Sequence, residues 1–453
     1  MLRTIRLAFV VFAIAASALA DEQSTSRTLE SLRDDPLMLR RFLEEMPKGG
    51  DLHEHLFGTV YAETFLRRAI ADGLCIDRQK LAIVAAPCDD ARGVVPASTI
   101  TTDGGLYAQM IDAMSMRNFR PGAENGHDHF FATFNRFRPV GNGKTAPDML
   151  AEVVARFAAE NVDYIESLFA PDFGAARQLG ALVRPGAPFA EMRDTLLKSG
   201  KVAEIVATAR KNYDAIDARL PAGKSTVRYL YEVHRAFQRE AVFAELLVAF
   251  ETASVDPRVV GINPVQPEDA WASMENFDDQ MAMFVYLRGL YPKVRLSAHA
   301  GELAPGVVPP EGLRNHIRDS VMIAKAERIG HGVDIARETG MPELLRVMAE
   351  RGIAVEICLT SNDSILGVTG RNHPLRLYMR HNVPVVLATD DPGISRSDLT
   401  TEFQRAVTEH GLTYAEIKRL ALNSIRYSFL DDQAKARELA RLEKRLREFE
   451  AAH

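Results

Sequence analysis

The sequence predicts a (β/α)8 TIM barrel, an α/β fold. From about Pro147 onward, short apolar runs alternate with amphipathic stretches of helical period. This alternation is typical of a parallel sheet, and eight repeats match a closed barrel. A doubly wound open sheet is the alternative, but its glycine fingerprint after an early strand is missing from the sequence. The predicted strands are residues 51–56, 163–170, 227–233, 259–265, 294–298, 328–333, 354–359 and 383–389.

The N-terminus has the pattern of a secretory signal peptide. Two arginines precede an apolar run over residues 7–16, and Ala18-Leu-Ala20 forms a small-x-small cleavage site. We therefore expect residues 1–20 to be removed by cleavage after Ala20, which makes the mature chain secreted or periplasmic. The apolar run is too short for a comfortable membrane span, so an uncleaved anchor is the minor alternative. After cleavage we expect no membrane partner.

The remaining sequence divides into three predicted parts. Residues 21–46 form an N-terminal helical extension that ends at Pro47, with Leu37 among its apolar positions. Residues 47–430 form the barrel, and an irregular insertion at about 73–119, after strand 1, packs over the barrel mouth. Residues 431–453 form a charged C-terminal helix, whose alternating Glu and Arg or Lys are typical of a solvated face.

The composition excludes one class of partner. The chain has 453 residues, 47% of them hydrophobic, and a net charge of −6. This mild acidity offers no basic face for a nucleic acid, so we expect none as a partner.

The three cysteines are Cys75, Cys88 and Cys358. The sequence has no Cys-x-x-Cys pair, which argues against a thiolate zinc site. In an oxidising compartment Cys75 and Cys88 are close enough in sequence to form a disulfide, worth roughly 3 kcal/mol. Two free thiols are the alternative. Cys358 lies in an apolar strand and is predicted to be a buried thiol.

Polar residues collect where the predicted strands end. His53 and His55 are two residues apart, so on a strand both imidazoles point the same way. Because catalytic residues of such barrels lie at the C-terminal ends of the strands, we expect these groups to meet on one rim. The strand-end residues are His53, His55, His299, Glu302, His331, Asp390 and Asp391.

Three histidines and one aspartate are a ligand set suited to Zn²⁺, one ion per chain. The predicted ligands are His53, His55, His299 and Asp390. Such an ion lowers the pKa of a bound water and so supplies hydroxide. His331 would orient or deprotonate the water, Glu302 would protonate the substrate, and Asp391 would hydrogen-bond it.

A second His-x-His, at His127 and His129, begins a predicted helix rich in phenylalanine. Side chains two apart diverge on a helix. We therefore interpret this pair as capping or surface histidines rather than metal ligands.

The motifs resemble those of the adenosine deaminase family over residues 47–428. The signal peptide and the cysteine-bearing insertion resemble its secreted, growth-factor-related branch. The motifs are Pro47-Lys48, Leu52-His-x-His-Leu56, His299-Ala-Gly-Glu302, Arg328-Ile-Gly-His-Gly332, Thr360-Ser-Asn362, His373-Pro-Leu375 and Thr389-Asp-Asp-Pro392.

The resemblance implies a reaction and a partner. Hydroxide adds to purine C6, Glu302 protonates N1, Asp391 contacts N7 and ammonia leaves. The partner is then a small purine nucleoside, adenosine and also 2'-deoxyadenosine or a 5'-modified adenosine, and a homodimer is an option. A zinc site of the cytidine-deaminase type would need a Pro-Cys-x-x-Cys segment, which the sequence lacks.

The sequence departs from the family pattern at two substrate contacts. Many members have an aspartate for the ribose 5'-hydroxyl where this sequence has Phe57. Many also have Asp-Leu-Ala-Gly after strand 4, whereas this chain reads Asn263-Pro-Val-Gln266. Gln266 can still donate a hydrogen bond to a ring nitrogen.

Two other functions are compatible with parts of this pattern. One is a metal-dependent amidohydrolase that acts on a lactone, amide or ester; its binuclear members would want lysine or glutamate at Asn263. The other is an extracellular adenosine-binding or signalling protein without catalysis. The complete set of ligands and acids argues against lost catalysis.

Overall fold

The computed structural model describes residues 21–122 and 125–453, so the predicted signal peptide lies outside the described residues. The strands of the described ranges are β1 (Gly49–His55), β2 (Cys75–Asp77), β3 (Ala82–Val84), β4 (Val94–Pro96), β5 (Val162–Leu168), β6 (Thr226–His234), β7 (Val259–Val265), β8 (Ser297–Ala300), β9 (Arg328–His331), β10 (Ala354–Ile357) and β11 (Val385–Leu387).

Eight of these strands form a closed parallel barrel. Two four-stranded sheets have the orders β1-β5-β6-β7 and β11-β10-β9-β8, and all their pairs are parallel. The bridge between Glu54 and Asp390 joins β1 to the end of β11, and the bridge between Ile262 and Leu296 joins β7 to β8. The predicted (β/α)8 barrel is confirmed. Every predicted strand is present, residues 259–265 with the predicted bounds and the other seven with ends that differ by up to three residues.

Helices surround this barrel. Residues 21–32 are helical. The α-helices before β5 are Pro36–Glu45, Leu56–Thr59, Ala62–Ala71, Gly104–Ala113, Gly126–Phe137 and Ala146–Ala159. Those between β5 and β8 are Ala175–Gln178, Phe189–Lys198, Lys201–Asp217, Arg239–Val255, Trp271–Glu275 and Phe277–Leu290. Those after β8 are His316–Met322, Met341–Arg351, Leu359–Leu366, Leu375–Arg380, Pro392–Ser395, Leu399–Thr408, Tyr414–Arg426 and Asp432–Ala452.

Short 3-10 helices connect some of these elements. They are Asp90–Arg92, Ala97–Thr101, Leu179–Leu182, Pro310–Leu313, Ile335–Arg337 and Gly370–Asn372. Among the described helices, none combines the length and the apolar character that a membrane span requires.

The N-terminal extension is two helices rather than one. The helix over residues 21–32 stops, and Asp35 then caps a second helix by accepting from the Met38 N–H at 3.1 Å. Pro36 disfavours a helical conformation at the residue before it, so the chain must turn at this point. Leu37 is 81% exposed, so its prediction as a buried apolar position was wrong.

The segment predicted to be an irregular insertion has regular structure of its own. Strands β3-β2-β4 form a small antiparallel sheet, and the helix Gly104–Ala113 follows. A disulfide joins Cys75 to Cys88 and Cys358 is a buried free thiol, so both cysteine predictions are confirmed. The segment reaches the barrel rim, since Met116 N–H donates to the Ile394 carbonyl at 2.8 Å.

The C-terminal helix Asp432–Ala452 packs against the N-terminal extension as well as facing solvent. Leu442, Leu446 and Phe449 are buried. The Phe449 ring lies 5.0 Å from that of Phe42, edge to face. The alternating charged residues of this helix therefore lie only on its outer face.

Candidate active site

Three imidazoles and one carboxylate converge at the C-terminal ends of the strands. His53 and His55, on β1, have their Nε2 atoms 3.1 and 3.3 Å from Nε2 of His299, on β8. Asp390 Oδ1, just after β11, lies 3.6 Å from His53 Nε2 and 3.3 Å from His55 Nε2. Each residue offers one ligand atom within 4.8 Å of the others. The four predicted ligands therefore meet at one point.

The second nitrogen of each imidazole has a hydrogen-bond acceptor. In a neutral imidazole, an acceptor at Nδ1 holds the proton there and leaves a lone pair at Nε2. Three lone pairs and a carboxylate facing one another repel unless a cation lies between them. The acceptors are Glu356 for His53 (2.6 Å), Glu232 for His55 (2.6 Å) and Asn263 Oδ1 for His299 (2.5 Å).

The spacing of these donor atoms fits a zinc-sized ion. Tetrahedral Zn²⁺ with bonds of about 2.0–2.1 Å places its ligand atoms about 3.3 Å apart. The four separations given above, 3.1–3.6 Å, bracket that value. The group is therefore a candidate site for one metal ion.

Glu356 links this site to the barrel interior. Its carboxylate also accepts from Arg328 Nε at 2.5 Å and from Ser297 Oγ at 2.8 Å. Burial by itself would raise the pKa of Glu356, but Arg328 and His53 outweigh it and lower the pKa to about 2. Glu356 therefore stays ionised and holds His53 in place.

Glu302 and His331 lie beside the ligand group. The Glu302 Oε1 atom is 3.6 Å from His331 Nδ1, and both side chains are buried. Burial, then the charges of Asp390 and Glu268, raise the pKa of Glu302 well above its ordinary value. Burial also lowers the pKa of His331 to about 3. This environment favours a protonated carboxyl beside a neutral imidazole.

Glu268 fixes the turn that carries Glu302. Its carboxylate accepts from the N–H groups of Gly301 at 3.0 Å and Glu302 at 2.7 Å, and from His316 Nδ1 at 2.5 Å. Gly301 has φ +77°, and a Cβ there would lie 2.5 Å from Asp334 Oδ1. The turn therefore requires glycine, which places Glu302 at the strand mouth.

Three residues at strand ends have left-handed backbone angles. They are Gln266 (φ 87°) after β7, His331 (φ 65°) on β9 and Asp390 (φ 62°) after β11. This conformation costs roughly 1–2 kcal/mol for a residue with a side chain. Such strain concentrates at functional sites, and here it marks the same rim as the ligands.

Asp391 is buried beside its neighbour Asp390, and its Oδ1 atom has no hydrogen-bond partner among the described residues. A Cβ at Gly58 would lie 1.4 Å from that oxygen, so only glycine leaves room for the carboxylate. The unsatisfied oxygen is available to a ligand.

The two predicted substrate residues Phe57 and Gln266 also follow strand ends. The half-buried Phe57 ring packs edge to face on Phe169 at 5.9 Å. The amide oxygen of Gln266 accepts from the Ala236 N–H at 2.9 Å, which leaves its amide nitrogen free to donate. Among the described residues, neither side chain forms a hydrogen bond or ring contact with the metal-ligand group.

His127 and His129 make contacts away from that group. His127 Nε2 lies 2.9 Å from Oδ1 of Asp269, which lies in the loop after β7. His129 Nε2 lies within 3.2 Å of the carbonyls of Asp112 and Ser115. Neither belongs to a metal-ligand group in the described part of the chain.

The sequence analysis missed the residues that orient the ligands. Glu356 and Asn263 are the single polar residues of the strands β10 and β7, and Glu232 lies between the buried Tyr231 and Val233 on β6. A buried polar residue requires a partner, so this pattern was a usable signal. Glu268 lies in a loop, and nothing in its local sequence distinguishes it.

A parallel barrel with such a ligand group and a buried acid at its C-terminal rim defines the class of metal-dependent hydrolases. The family model for adenosine deaminase matches residues 106–445, so this chain belongs to the adenosine deaminase family. It is 38% identical to the adenosine deaminase of Serratia proteamaculans over 143 residues, which cover 31% of this chain. That match spans only 40% of the Serratia enzyme.

Solved structures show the same fold. A zinc-bound amidohydrolase from Burkholderia ambifaria covers 92% of this chain and 95% of its own at a TM-score of 0.60 and 21% identity. The N6-mAMP deaminase of Arabidopsis covers 89% of this chain and 99% of its own at a TM-score of 0.60 and 20% identity. Membership of the secreted, growth-factor-related branch stays a prediction.

Proposed function

We propose that this protein is a zinc enzyme that hydrolyses the C6 amino group of adenosine or a related nucleoside. The products are the inosine compound and ammonia. The observation that carries this proposal is the convergence of three oriented imidazoles and Asp390, with two further buried carboxyls beside them. Family membership supplies the reaction class.

The residues that would hold the zinc ion are His53, His55, His299 and Asp390. When bound, the ion lowers the pKa of a water molecule toward neutrality and so supplies hydroxide at physiological pH. Ser361 supports the arrangement, because its hydroxyl donates to the second oxygen of Asp390.

Glu302 is the proposed acid. Burial raises the pKa of this carboxyl and so favours its protonated form, which can give a proton to ring N1 as C6 gains the hydroxyl. The proton of the C6 hydroxyl then passes to the amino group, the C6–N6 bond breaks, and the amino group leaves as ammonia. Glu268 holds the backbone of Glu302 from behind, so the acid does not have to be ordered when substrate binds.

A chain of hydrogen bonds supports a narrower role for His331 than proton removal. The Leu375 N–H donates to His373 Nδ1 at 3.2 Å, so neutral His373 carries its proton on Nε2. That nitrogen lies 3.0 Å from Asn362 Oδ1, and Asn362 Nδ2 lies 3.0 Å from His331 Nδ1. A backbone N–H can only donate, so the Leu375 N–H determines which group donates and which accepts in each of these three hydrogen bonds.

The consequence is that His331 accepts at Nδ1 and carries its proton on Nε2. This Nε2 is buried and has no partner in the described structure. We infer that it donates a hydrogen bond to the attacking oxygen and stabilises the charge that develops there. His331 therefore orients the nucleophile and does not remove a proton from it.

Asp391 is the proposed contact to purine N7. Its unsatisfied Oδ1 is buried close to the ligand group, which favours a partner supplied by the substrate. Burial, followed by the charge of Asp390, raises the pKa of Asp391 and favours the protonated carboxyl, which can donate a hydrogen bond to N7. Phe57 offers an apolar ring where a carboxylate would select a 5'-hydroxyl. We therefore extend the proposed substrates to 2'-deoxyadenosine and 5'-modified adenosines.

We further propose that the mature chain starts at Asp21 and acts outside the cytoplasm. The disulfide between Cys75 and Cys88 supports this location, because such bonds persist in oxidising compartments. N-terminal sequencing of the exported protein tests it: an intact Met1 would contradict cleavage.

Ammonia release by purified, zinc-loaded protein tests the function. The panel is adenosine, 2'-deoxyadenosine, 5'-deoxyadenosine, 5'-methylthioadenosine, adenine, AMP and N6-methyl-AMP. We expect turnover of at least one unphosphorylated nucleoside, and a conversion to the hydroxypurine visible in the ultraviolet spectrum. Tight binding without ammonia would favour a binding protein, and turnover of an amide or lactone alone would favour another amidohydrolase.

A further inference from the structure

A cavity lies at the opposite end of the barrel from the metal-ligand group. Its volume is about 330 Å³. Residues immediately before β8, β9 and β10 line it, together with the turn after the helix Tyr414–Arg426. Because parallel strands all begin at one end, this cavity faces the N-terminal ends of the strands. It is separate from the proposed active site.

The side chains around this cavity are mainly cationic. Four of them make no hydrogen bond or ion pair in the described ranges, and Lys325 contacts only the Met322 carbonyl, at 2.6 Å. The sole carboxylate of the lining, Glu327, is held by Arg288 at 2.6 Å and by the Leu296 N–H at 2.9 Å. The four unpaired cations are Arg295, Arg351, Arg426 and Lys435.

The nearby interior carboxylate does not neutralise these cations. Glu166 forms an ion pair with the buried Arg328 and accepts from the Phe429 N–H at 2.6 Å. Phe429 lies between the two sets of charges: its ring centroid is 3.9 Å from the Arg328 guanidinium and 5.5 Å from that of Arg295. The Arg295 guanidinium is thus oriented over an aromatic ring and keeps its hydrogen-bond donors free.

The cations also repel one another. Lys435 is half-buried, and burial followed by the charge of Arg295 lowers its pKa, despite the opposing effect of Glu166 and Asp432. Most arginines of this acidic protein are paired with carboxylates, so unpaired cations gathered in a concavity are not its general pattern. An anion in the cavity would remove the repulsion and occupy the free donors.

We propose that this cavity is a binding site for a phosphate-type dianion, either inorganic phosphate or the phosphoryl group of a small organic molecule. Guanidinium groups donate in pairs to the oxygens of a phosphoryl group, and lysine adds a point charge. Both kinds of donor line the cavity, and its small volume suits a compact ligand.

Calorimetric titration of the zinc-loaded full-length protein with inorganic phosphate and with glycerol 3-phosphate tests this site. The variant is Arg351→Gln combined with Lys435→Gln. The matched control is Lys211→Gln combined with Arg419→Gln, which removes the same charge from two exposed residues whose side chains form no hydrogen bond or ion pair within the described ranges. Both double variants keep the proposed catalytic residues, and thermal melting verifies that they fold.

We expect the dissociation constant for phosphate to rise at least about tenfold in the cavity variant and to stay unchanged in the control. Tighter binding of glycerol 3-phosphate would identify an organic phosphate as the ligand, and equal binding would identify the free ion. Equal affinity in the wild type and the cavity variant would overturn the proposal, as would a heat signal reproduced by sodium chloride at matched ionic strength. Deaminase activity is measured separately and decides nothing about this cavity.

Discussion

The two ends of the barrel interior both contain buried charges but differ in how those charges are paired. Near the N-terminal ends of the strands, Arg328 lies between Glu166 and Glu356, with both nitrogen–oxygen distances 2.5 Å. At the C-terminal ends, His331 Nε2, Glu302 Oε1 and Asp391 Oδ1 are buried without a hydrogen-bond partner in the described chain.

This difference distinguishes buried charged groups that stabilise the fold from buried polar groups that are available for function. A buried polar atom without a partner costs about 1–3 kcal/mol, so three of them at one end are expensive for stability alone. The same end has the left-handed residues His331 and Asp390. Because this cost brings no structural stabilisation, we infer that the missing partners come from outside the protein; under the proposed function they are the attacking oxygen and the substrate.

Removing a ligand should abolish function at the unpaired end. In His299→Ala the metal loses one of four donors, so we expect zinc content to fall from one per chain to nearly none and activity to vanish. The exposed His381→Ala serves as the control and should keep its metal. Full occupancy in His299→Ala, measured by elemental analysis after dialysis, would remove His299 from the ligand set.

Breaking the paired end should instead cost stability. Arg328→Met leaves two buried carboxylates without their cation, and we expect the free energy of unfolding to fall by about 3–5 kcal/mol. The control is Arg346→Met, since Arg346 also pairs with two carboxylates but at the surface, where we expect little or no loss of stability. Denaturant unfolding of both variants decides this, and equal losses would contradict the distinction between the two ends.

The acid at the unpaired end should affect turnover and not folding. Glu302→Gln keeps the shape of the side chain but has no proton to give, so kcat should fall by at least about 10²-fold. Metal content and melting temperature should stay close to wild type. The exposed Glu311→Gln is the matched control. A near-normal kcat would exclude Glu302 from proton transfer and favour the amidohydrolase alternative.

Asp334, just behind this end, should make stability depend on pH. Burial, then the charges of Glu268 and Glu338, raise its pKa from 3.8 to about 9. Folding therefore favours the protonated form, and this contribution is complete below about pH 4 and lost as pH rises through about 9. Asp334→Asn should be more stable than wild type at pH 9, by about 1–3 kcal/mol, with a flatter pH profile. The exposed Asp34→Asn should show the wild-type slope.

The smallest expected effect concerns the ribose. Phe57 offers no charge-assisted hydrogen bond, so the kcat/KM ratio of adenosine over 5'-deoxyadenosine should stay well below about 10³. Phe57→Asp should raise that ratio about tenfold or more. A wild-type ratio above about 10³ would mean that another residue binds the 5'-hydroxyl and that Phe57 faces the core.

Local sequence was enough to predict the barrel and the ligand set. Strands of a barrel are short apolar runs, and histidines or aspartates directly after them reach one rim by topology alone. The prediction of one continuous helix in the N-terminal extension was wrong at Pro36. It relied on the spacing of apolar residues and neglected the restriction that a proline places on the backbone of the residue before it, here Asp35. The prediction that the insertion is irregular was wrong because strands of three residues are too short to show the alternation of apolar and polar residues.

What the sequence predicted by itself is therefore the set of side chains that the fold brings together at the rim: His53, His55, His299, Asp390 and Glu302. Only the tertiary structure decided the orientation of these groups and the position of their protons. The proton of His53 is positioned by Glu356, 303 residues away in the chain, and the lone Arg328 charge is neutralised from two different strands. Such pairings depend on which strands become neighbours when the barrel closes, and local pattern carries no information about contacts across it.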